Sequence, residues 1–196
     1  MQNTAYDAEV DKNSINPGFQ MFEKRVSGMF LGEILRQVLR KLISVELFSG
    51  SSSTKIDTQY GIDTAAMSVI AGDNSAHLTA VGATIVSAFG IHSTSLEDRK
   101  CVKLVSDAIV RRSARLAAVA ISAVSDHTGR FAESTVEKPV DVGADGSLVE
   151  FYPNYVDMCL EACEEILGNN ASKRITIGLA KDGSGVGAAL YPPPRF

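Results

Sequence analysis

Cysteine, proline and histidine are all scarce in this chain. Only 3 of the 196 residues are Cys, and Cys101, Cys159 and Cys163 are too few and too clustered for a disulfide framework. Nothing at the N-terminus resembles a secretory signal, so a reducing, cytoplasmic setting is expected. Cys159 and Cys163 share a helix face at i, i+4, but no His or Cys pair at ligand spacing completes a metal site; buried thiols and no metal are expected. The 3 histidines, His77, His92 and His127, are scattered and form no Ser-His-Asp pattern; solvated or capping roles are expected. The 16 Gly and 6 Pro fall well below the level of low-complexity disorder. There is no long apolar run: Leu116 to Val124 is far shorter than the roughly 20 residues of a membrane span, and Arg115 closes it off. Positive charge is not in excess. With 19 Lys and Arg against 23 Asp and Glu, the net charge is −4, so neither nucleic acid nor an anionic membrane surface is expected as the main partner.

What is present describes an ordered globular chain. Hydrophobic residues make up 45% and charged residues 21%, and the length suits one large domain or two small ones at roughly 150 residues each. Residues 1–14 are polar and acidic without periodicity, and read as an extended lead-in or a severed connection. From Phe19 the apolar residues Phe22, Val26, Met29, Phe30, Ile34, Val38 and Leu42 recur every three or four positions. Glu23, Lys24, Arg36, Gln37, Arg40 and Lys41 mostly fill the other face, so one long amphipathic helix is predicted. It decays into a Ser-rich loop at Ser49 to Ser53. Gly28 and Gly32 lie inside that helix at a cost of about 1 kcal/mol each relative to Ala. Two readings stand: tight packing of a neighbouring segment, or a ligand brought close to the backbone.

Met67, Val69 and Ile70 suggest a short helix, and Thr79 to Phe89 fits helix or strand until Gly90 ends it. Thr94 with Glu97 reads as a capping box for a long helix from Leu96 to about Ser125. Its Ala- and Val-rich second half suggests cover on most sides. Val140 to Val142 and Leu148 to Phe151 flank an Asp145-Gly146 pair, which predicts a hairpin. A helix over Tyr155 to Leu167 and a strand over Arg174 to Leu179 follow, the strand running into a Gly-rich turn, Gly183-Ser-Gly-Val-Gly187. The layout is α/β.

Candidate chemistry is sparse. A Gly-rich turn between strand and helix exposes backbone N–H groups that can hold phosphate, and both Asp-Gly-Ser triplets, at Asp145 and Asp182, end predicted strands. Each also reads as an ordinary turn. Glu23 and Gln20, one helical turn apart, can offer acceptors and a donor to a polyol; Glu23 alone also suits the helix dipole.

One stretch is far more specific. Asn16-Pro-Gly-Phe-Gln-Met-Phe-Glu-Lys24, followed by Ser27-Gly-Met-Phe-Leu-Gly-Glu33, resembles the signature of the eukaryotic hexokinase and glucokinase family. Asp63-Thr64, Phe89-Gly-Ile91, Arg111 to Leu116, Val142 to Ser147 and Asp182 to Ala189 look like further family landmarks in order. The resemblance runs from about Tyr6 to Leu190. It implies a partial actin-like, ribonuclease-H-like ATPase fold, the C-terminal large lobe of a hexokinase, over 15–190, with an irregular Pro-rich end at 191–196. It also implies transfer of a phosphoryl group from Mg-ATP to the 6-hydroxyl of glucose or a related hexose.

The same resemblance assigns residues. Glu23 and Gln20 match the sugar pocket. Gly28 and Met29 match the nucleotide site, as do Thr58, Gln59, Tyr60, Gly61 and Ile62. Gly146 and Ser147 match the turn that meets the ATP phosphates, with Leu148, Val149, Glu150 and Phe151 continuing along the nucleotide; Ser184 to Gly187 stays a structural turn. Two departures stand out. The family's catalytic Asp and its N-terminal phosphate turn are absent from this chain, and Met29 stands where some relatives carry Lys. A truncated enzyme part is therefore expected, which implies a complementing N-terminal half or self-association. The alternative is a non-catalytic sugar- or nucleotide-binding regulator derived from a hexokinase.

Overall fold

In the computed structural model, which describes residues 3–46, 54–131, 139–168 and 170–190, the chain starts with a helix rather than an extended lead-in. Helix α1 (Ala5–Lys12) is opened by a capping box: the Asp7 N–H donates to the Thr4 hydroxyl at 3.1 Å, and the Thr4 N–H donates to Asp7 Oδ2 at 2.9 Å. Asp7 is buried and takes the guanidinium fork of Arg112 at 2.9 and 2.7 Å. Hydrophobic periodicity misses this helix because it is held by a charge and buries only Asp7 and Val10.

The predicted long helix is two. Helix α2 (Glu23–Val26) ends at Ser27, whose ψ of 137° is extended, and α3 (Gly28–Ser44) begins there. A helix can break cheaply where its released carbonyls find donors. The Ser113 hydroxyl donates to the Val26 carbonyl, in the last turn of α2, at 2.8 Å, while the Thr64 hydroxyl, donating to the Gly28 carbonyl at 2.7 Å, ties the first residue of α3 to α4. Gly28 is thus a helix start, and Gly32 alone is interior. A Cβ on Gly32 would lie 2.0 Å from the Ile62 carbonyl oxygen, so a neighbouring segment explains this glycine. The expected polar face is also revised, since Lys24, Arg36 and Gln37 are buried.

The Ser49–Ser53 loop and the 191–196 end lie outside the described residues. A 3₁₀ turn (Thr54–Asp57) leads to α4 (Thr64–Gly72), capped by Asp63 and burying Met67 and Ile70. Helix α5 (Thr79–Thr84) continues as a π-helical turn (Ile85–Phe89) that stops at Gly90, φ 70°. Helix α6 (Leu96–His127) is the longest element, with 32 residues. Its cap is one residue from the expected pair: Ser95 and Asp98 form the box, while the Thr94 hydroxyl is taken by Arg99. Leu31, Leu35 and Leu39 of α3 pack with Met67, Ile70, Val81, Ile85, Phe89, Val102 and Val110 in the main core. The far half of α6 is less covered than expected, with Val119 and Val124 exposed.

The predicted hairpin does not form. Strand β1 (Val140–Ala144) turns at Gly146, φ 115°, into helix α7 (Ser147–Phe151), then α8 (Tyr155–Leu167) and α9 (Ala171–Arg174), before β2 (Ile175–Leu179) pairs with β1 in parallel, Val140 opposite Ile175 and Ala144 opposite Leu179. Parallel strands need a crossover, and Leu148 to Phe151 is the first turn of it; a short apolar run cannot be told from a strand by periodicity. The expected Gly-rich turn is likewise mostly helical, since α10 (Gly183–Leu190) starts at its first glycine. Ala118 of α6, Ala162 and Cys163 of α8, Ala171 and Ile175 make a second apolar cluster, against which Val140, Val142 and Ile177 of the strands pack. Cys159 and Cys163 are buried as expected, and burial, reinforced by Cys163, pushes the Cys159 thiol up to about 12.

Candidate functional site

The polar turn before α2 is built from strained backbone and locked from below. Gly18 (φ 81°) and Gln20 (φ 53°) both adopt left-handed conformations, which glycine tolerates and glutamine does at a cost. The Gln20 amide donates to Glu23 Oε2 at 2.8 Å, and the Asn16 amide donates in turn to Gln20 Oε1. Glu23, at the first position of α2, and Gln20 are both exposed. Beneath them the buried Lys24 ammonium donates to Asp11 Oδ1 and to the Asn16 carbonyl, each at 2.7 Å, and Asp11 also accepts the Gly18 N–H at 3.0 Å. The Lys24 hydrogen bond, and then that of Gly18, hold the Asp11 carboxyl below its usual range. Asp11 and Lys24 are site residues that sequence reasoning missed; an Asp in a polar stretch carries no signal of its own. Around the turn, Ile15, Phe19 and Phe22 are exposed.

A second group of candidates meets on two cavities. One, of about 540 Å³, is lined by Met29, Tyr60, Ile62, Thr64, Ser147 and Phe151 among others. The other, of about 350 Å³, is lined by residues including Ser27, Gly28, Met29, Gly146, Ser147 and Tyr155. Met29 and Ser147 belong to both. Leu148 and Val149 border the smaller cavity, although Leu148 is also part of the main core. Thr58, Gln59, Gly61 and Glu150 line neither. Gln59 instead donates to the Asn13 carbonyl at 2.7 Å, and Gly61 closes a tight turn onto the Thr58 carbonyl at 3.1 Å. Gln20 and Glu23 likewise stand outside both linings.

The 58–62 wall is positioned by a buried charge pair. Glu33 is wholly buried and accepts from Arg36 Nε at 2.8 Å, from Arg36 Nη2, from Gln37 at 3.2 Å and from the Tyr60 backbone N–H at 2.9 Å. Arg36 also donates to the Ile56 carbonyl at 2.7 Å. The Tyr60 ring meets Phe30 edge-on, with centroids 6.1 Å apart. The i, i+3 spacing of Glu33 and Arg36 was the available sequence signal, and it reads equally well as a surface pair. Among the described residues no group of three or more His, Cys, Asp or Glu is placed to hold a metal, and no helix is long and apolar enough to cross a membrane. His77, His92 and His127 are all exposed.

The comparisons with known proteins agree with one another. The family model described as Hexokinase matches residues 1–192. A glucokinase of Aspergillus niger is 41% identical over 203 residues, covering 97% of this chain and 40% of the relative. Hexokinase-7 of Oryza sativa subsp. japonica is 42% identical over 189 residues, covering 95% and 40%. Among solved structures, a hexokinase from Schistosoma mansoni complexed with glucose superposes with a TM-score of 0.83 at 26% identity, over 95% of this chain and 40% of that one. The chain thus spans about 40% of the length of these relatives. With a family model matched along nearly all of its length and a hexokinase fold in the described residues, the chain belongs to the hexokinase family.

Proposed function

We propose that this chain forms the large-lobe part of the sugar and nucleotide sites of an ATP-dependent kinase for glucose or a related hexose, acting at the 6-hydroxyl. The observation that carries the reading is the meeting of residues from three separate family stretches, Gly28 and Met29, Tyr60 and Ile62, and Gly146 and Ser147, on two cavities that share Met29 and Ser147. Met29, Tyr60, Ile62 and Phe151 offer apolar walls that suit a nucleotide base. Gly146 leaves its side-chain space open beside the Ser147 hydroxyl, since nothing lies within 4 Å of a Cβ built there. The pair fits a phosphate group. Mg²⁺ would enter with the phosphates and neutralise charge on the transferred group.

Glu23 and Gln20 would bind the sugar. Their carboxylate and amide are already hydrogen-bonded to each other on a rigid turn, so they present acceptor and donor atoms in fixed relative positions. The carboxylates bordering the two cavities are Asp63 and Asp145, and Asp63 is engaged as the cap of α4, accepting the Ala66 N–H at 2.8 Å. Because the family's catalytic Asp is missing from the motifs matched here, the base that takes the hydroxyl proton is assigned to a complementing portion of a hexokinase. The exposed Ile15, Phe19 and Phe22, and the edge of β1 away from β2, which has no strand partner among the described residues, suit contact with such a portion.

The test is calorimetric titration of the chain with glucose and with Mg-ATP, beside an assay of glucose-dependent ADP release. Both ligands should bind, and turnover should be absent or slight. Glu23→Ala should weaken glucose at least about tenfold, since charge-assisted hydrogen bonds are lost, while the nucleotide affinity holds. A folded chain that binds neither ligand would overturn the reading.

A further inference from the structure

Two buried hydroxyls tie the break between α2 and α3 to the opposite wall of the smaller cavity. Ser113 of α6 is fully buried; its hydroxyl donates to the Val26 carbonyl at 2.8 Å and lies 2.9 Å from the Tyr155 hydroxyl. A serine hydroxyl has one proton. Because that proton goes to Val26, Tyr155 is the donor to Ser113, and the chain runs from the Tyr155 O–H through Ser113 to the Val26 carbonyl. Burial pushes the Tyr155 phenol up to about 12, so it keeps the proton that this direction needs.

The ends of this relay sit where the candidate nucleotide residues begin. Val26 and Tyr155 both line the cavity of about 350 Å³ shared by Gly28, Met29, Gly146 and Ser147. Val26 is followed by the extended Ser27 and then by Gly28 and Met29, while Tyr155 opens α8 just beyond the α7 turn. Holding the Val26 carbonyl fixes where the 27–29 segment leaves α2. Holding it to Tyr155 through Ser113 fixes that segment relative to the α8 end, and so to the turn at 146–147.

We infer that Ser113 and Tyr155 are positioning residues for nucleotide binding: their relay sets the gap between Gly28-Met29 and Gly146-Ser147. The inference rests on the proposed nucleotide site. Glu23 shares the short helix α2 with Val26, but the Gln20–Glu23 turn has its own lock in Asp11 and Lys24, so loss of the relay should reach sugar binding less than nucleotide binding. That difference is what separates positioning from a general contribution to packing.

Tyr155→Phe removes one hydroxyl with little change of shape, and Ser113→Ala cuts the relay at its centre. Each variant, and the double variant, would be titrated by calorimetry with the magnesium complex of the non-hydrolysable ATP analogue AMP-PNP, and separately with glucose, with unfolding temperature recorded. Tyr155→Phe should weaken AMP-PNP about fivefold, the worth of one hydrogen bond, and change glucose affinity by less than about twofold. Adding Tyr155→Phe to Ser113→Ala should bring no further loss, because linked residues are not additive. Unchanged AMP-PNP affinity in Tyr155→Phe, or a matched fall in both affinities with the unfolding temperature, would overturn the inference alone. Failure of the unsubstituted chain to bind AMP-PNP or glucose would overturn it together with the proposed function.

Discussion

Gly32 and Ile62 touch backbone to backbone: a Cβ on Gly32 would stand 2.0 Å from the Ile62 carbonyl oxygen and 2.8 Å from its carbon. No side chain fits there, and no flexible group can swing away to make room. Gly32→Ala should therefore push the 58–62 segment off α3. Overpacking costs about 1–3 kcal/mol, and the helix-propensity gain of Ala over Gly, about 1 kcal/mol, offsets only part of it at an overlap this deep. A net loss of about 2 kcal/mol in urea unfolding is expected, with faster amide exchange at Tyr60. A variant as stable as the parent would mean that the segment does not lie on the helix.

Glu33→Gln should be the more damaging change, although it alters shape least. It leaves the buried Arg36 without its carboxylate partner, and removing one member of a buried pair costs about 3–5 kcal/mol. We expect the lower end, because Gln can keep an acceptor towards Tyr60. Replacing Arg36 by Met as well should recover part of the loss. If the double variant is less stable than Glu33→Gln alone, the penalty does not come from the stranded charge.

Helix α1 should detach in acid. Burial raises the Asp7 carboxyl, but hydrogen bonds from Arg112 and Thr4 outweigh it and hold it below its ordinary value of 3.8. A depressed folded-state value stabilises above the unfolded value, and the stabilisation is lost as the pH falls through the folded one. Unfolding measured from neutral pH downwards should show this contribution intact at neutrality and fading below about pH 4. Asp7→Asn should lower stability at neutral pH by about 1–2 kcal/mol and flatten the acid limb. An acid limb as steep as the parent's would place the titrating group elsewhere.

How much of this was legible in the sequence depends on what holds each element. Helix α6 announces itself by apolar periodicity and a capping signal, α8 by periodicity and Gly168 at its end, and strand β2 by a short apolar run, all signals that act within a few residues of one another. Helix α1 does not, since its anchor is Asp7 against Arg112, over a hundred positions along the chain. The break at Ser27 is equally invisible: the donor that caps the released Val26 carbonyl is Ser113, on α6, far along the chain. The turn after β1 was misread for a related reason. Asp145-Gly146 suits a hairpin locally, and only the parallel pairing with β2 shows that the chain must leave the sheet there.

The candidate site divides the same way. Glu23, Gln20, Gly146 and Ser147 were marked by a long local pattern, and the structure brings Gly146 and Ser147 to the cavities that Met29 borders. Of the groups that hold these residues in place, Lys24 closes the same pattern, but its partner Asp11, and Ser113 and Tyr155, are ordinary polar residues at unremarkable spacings. Their partners are chosen by the folded chain, which a reading along one dimension does not contain.

The parallel pairing of β1 with β2 also orders events in time. When β1 leaves the ribosome, its partner has yet to be made, and three helices separate the two. An antiparallel hairpin could zip at once, whereas the pairing of β1 with β2 must wait until α7, α8 and α9 have carried β2 back to it. The contacts between α6 and α8 can assemble meanwhile. The pairing of β1 with β2 is thus a contact between distant parts of the chain, and the turn at Gly146 begins the crossover that this pairing completes.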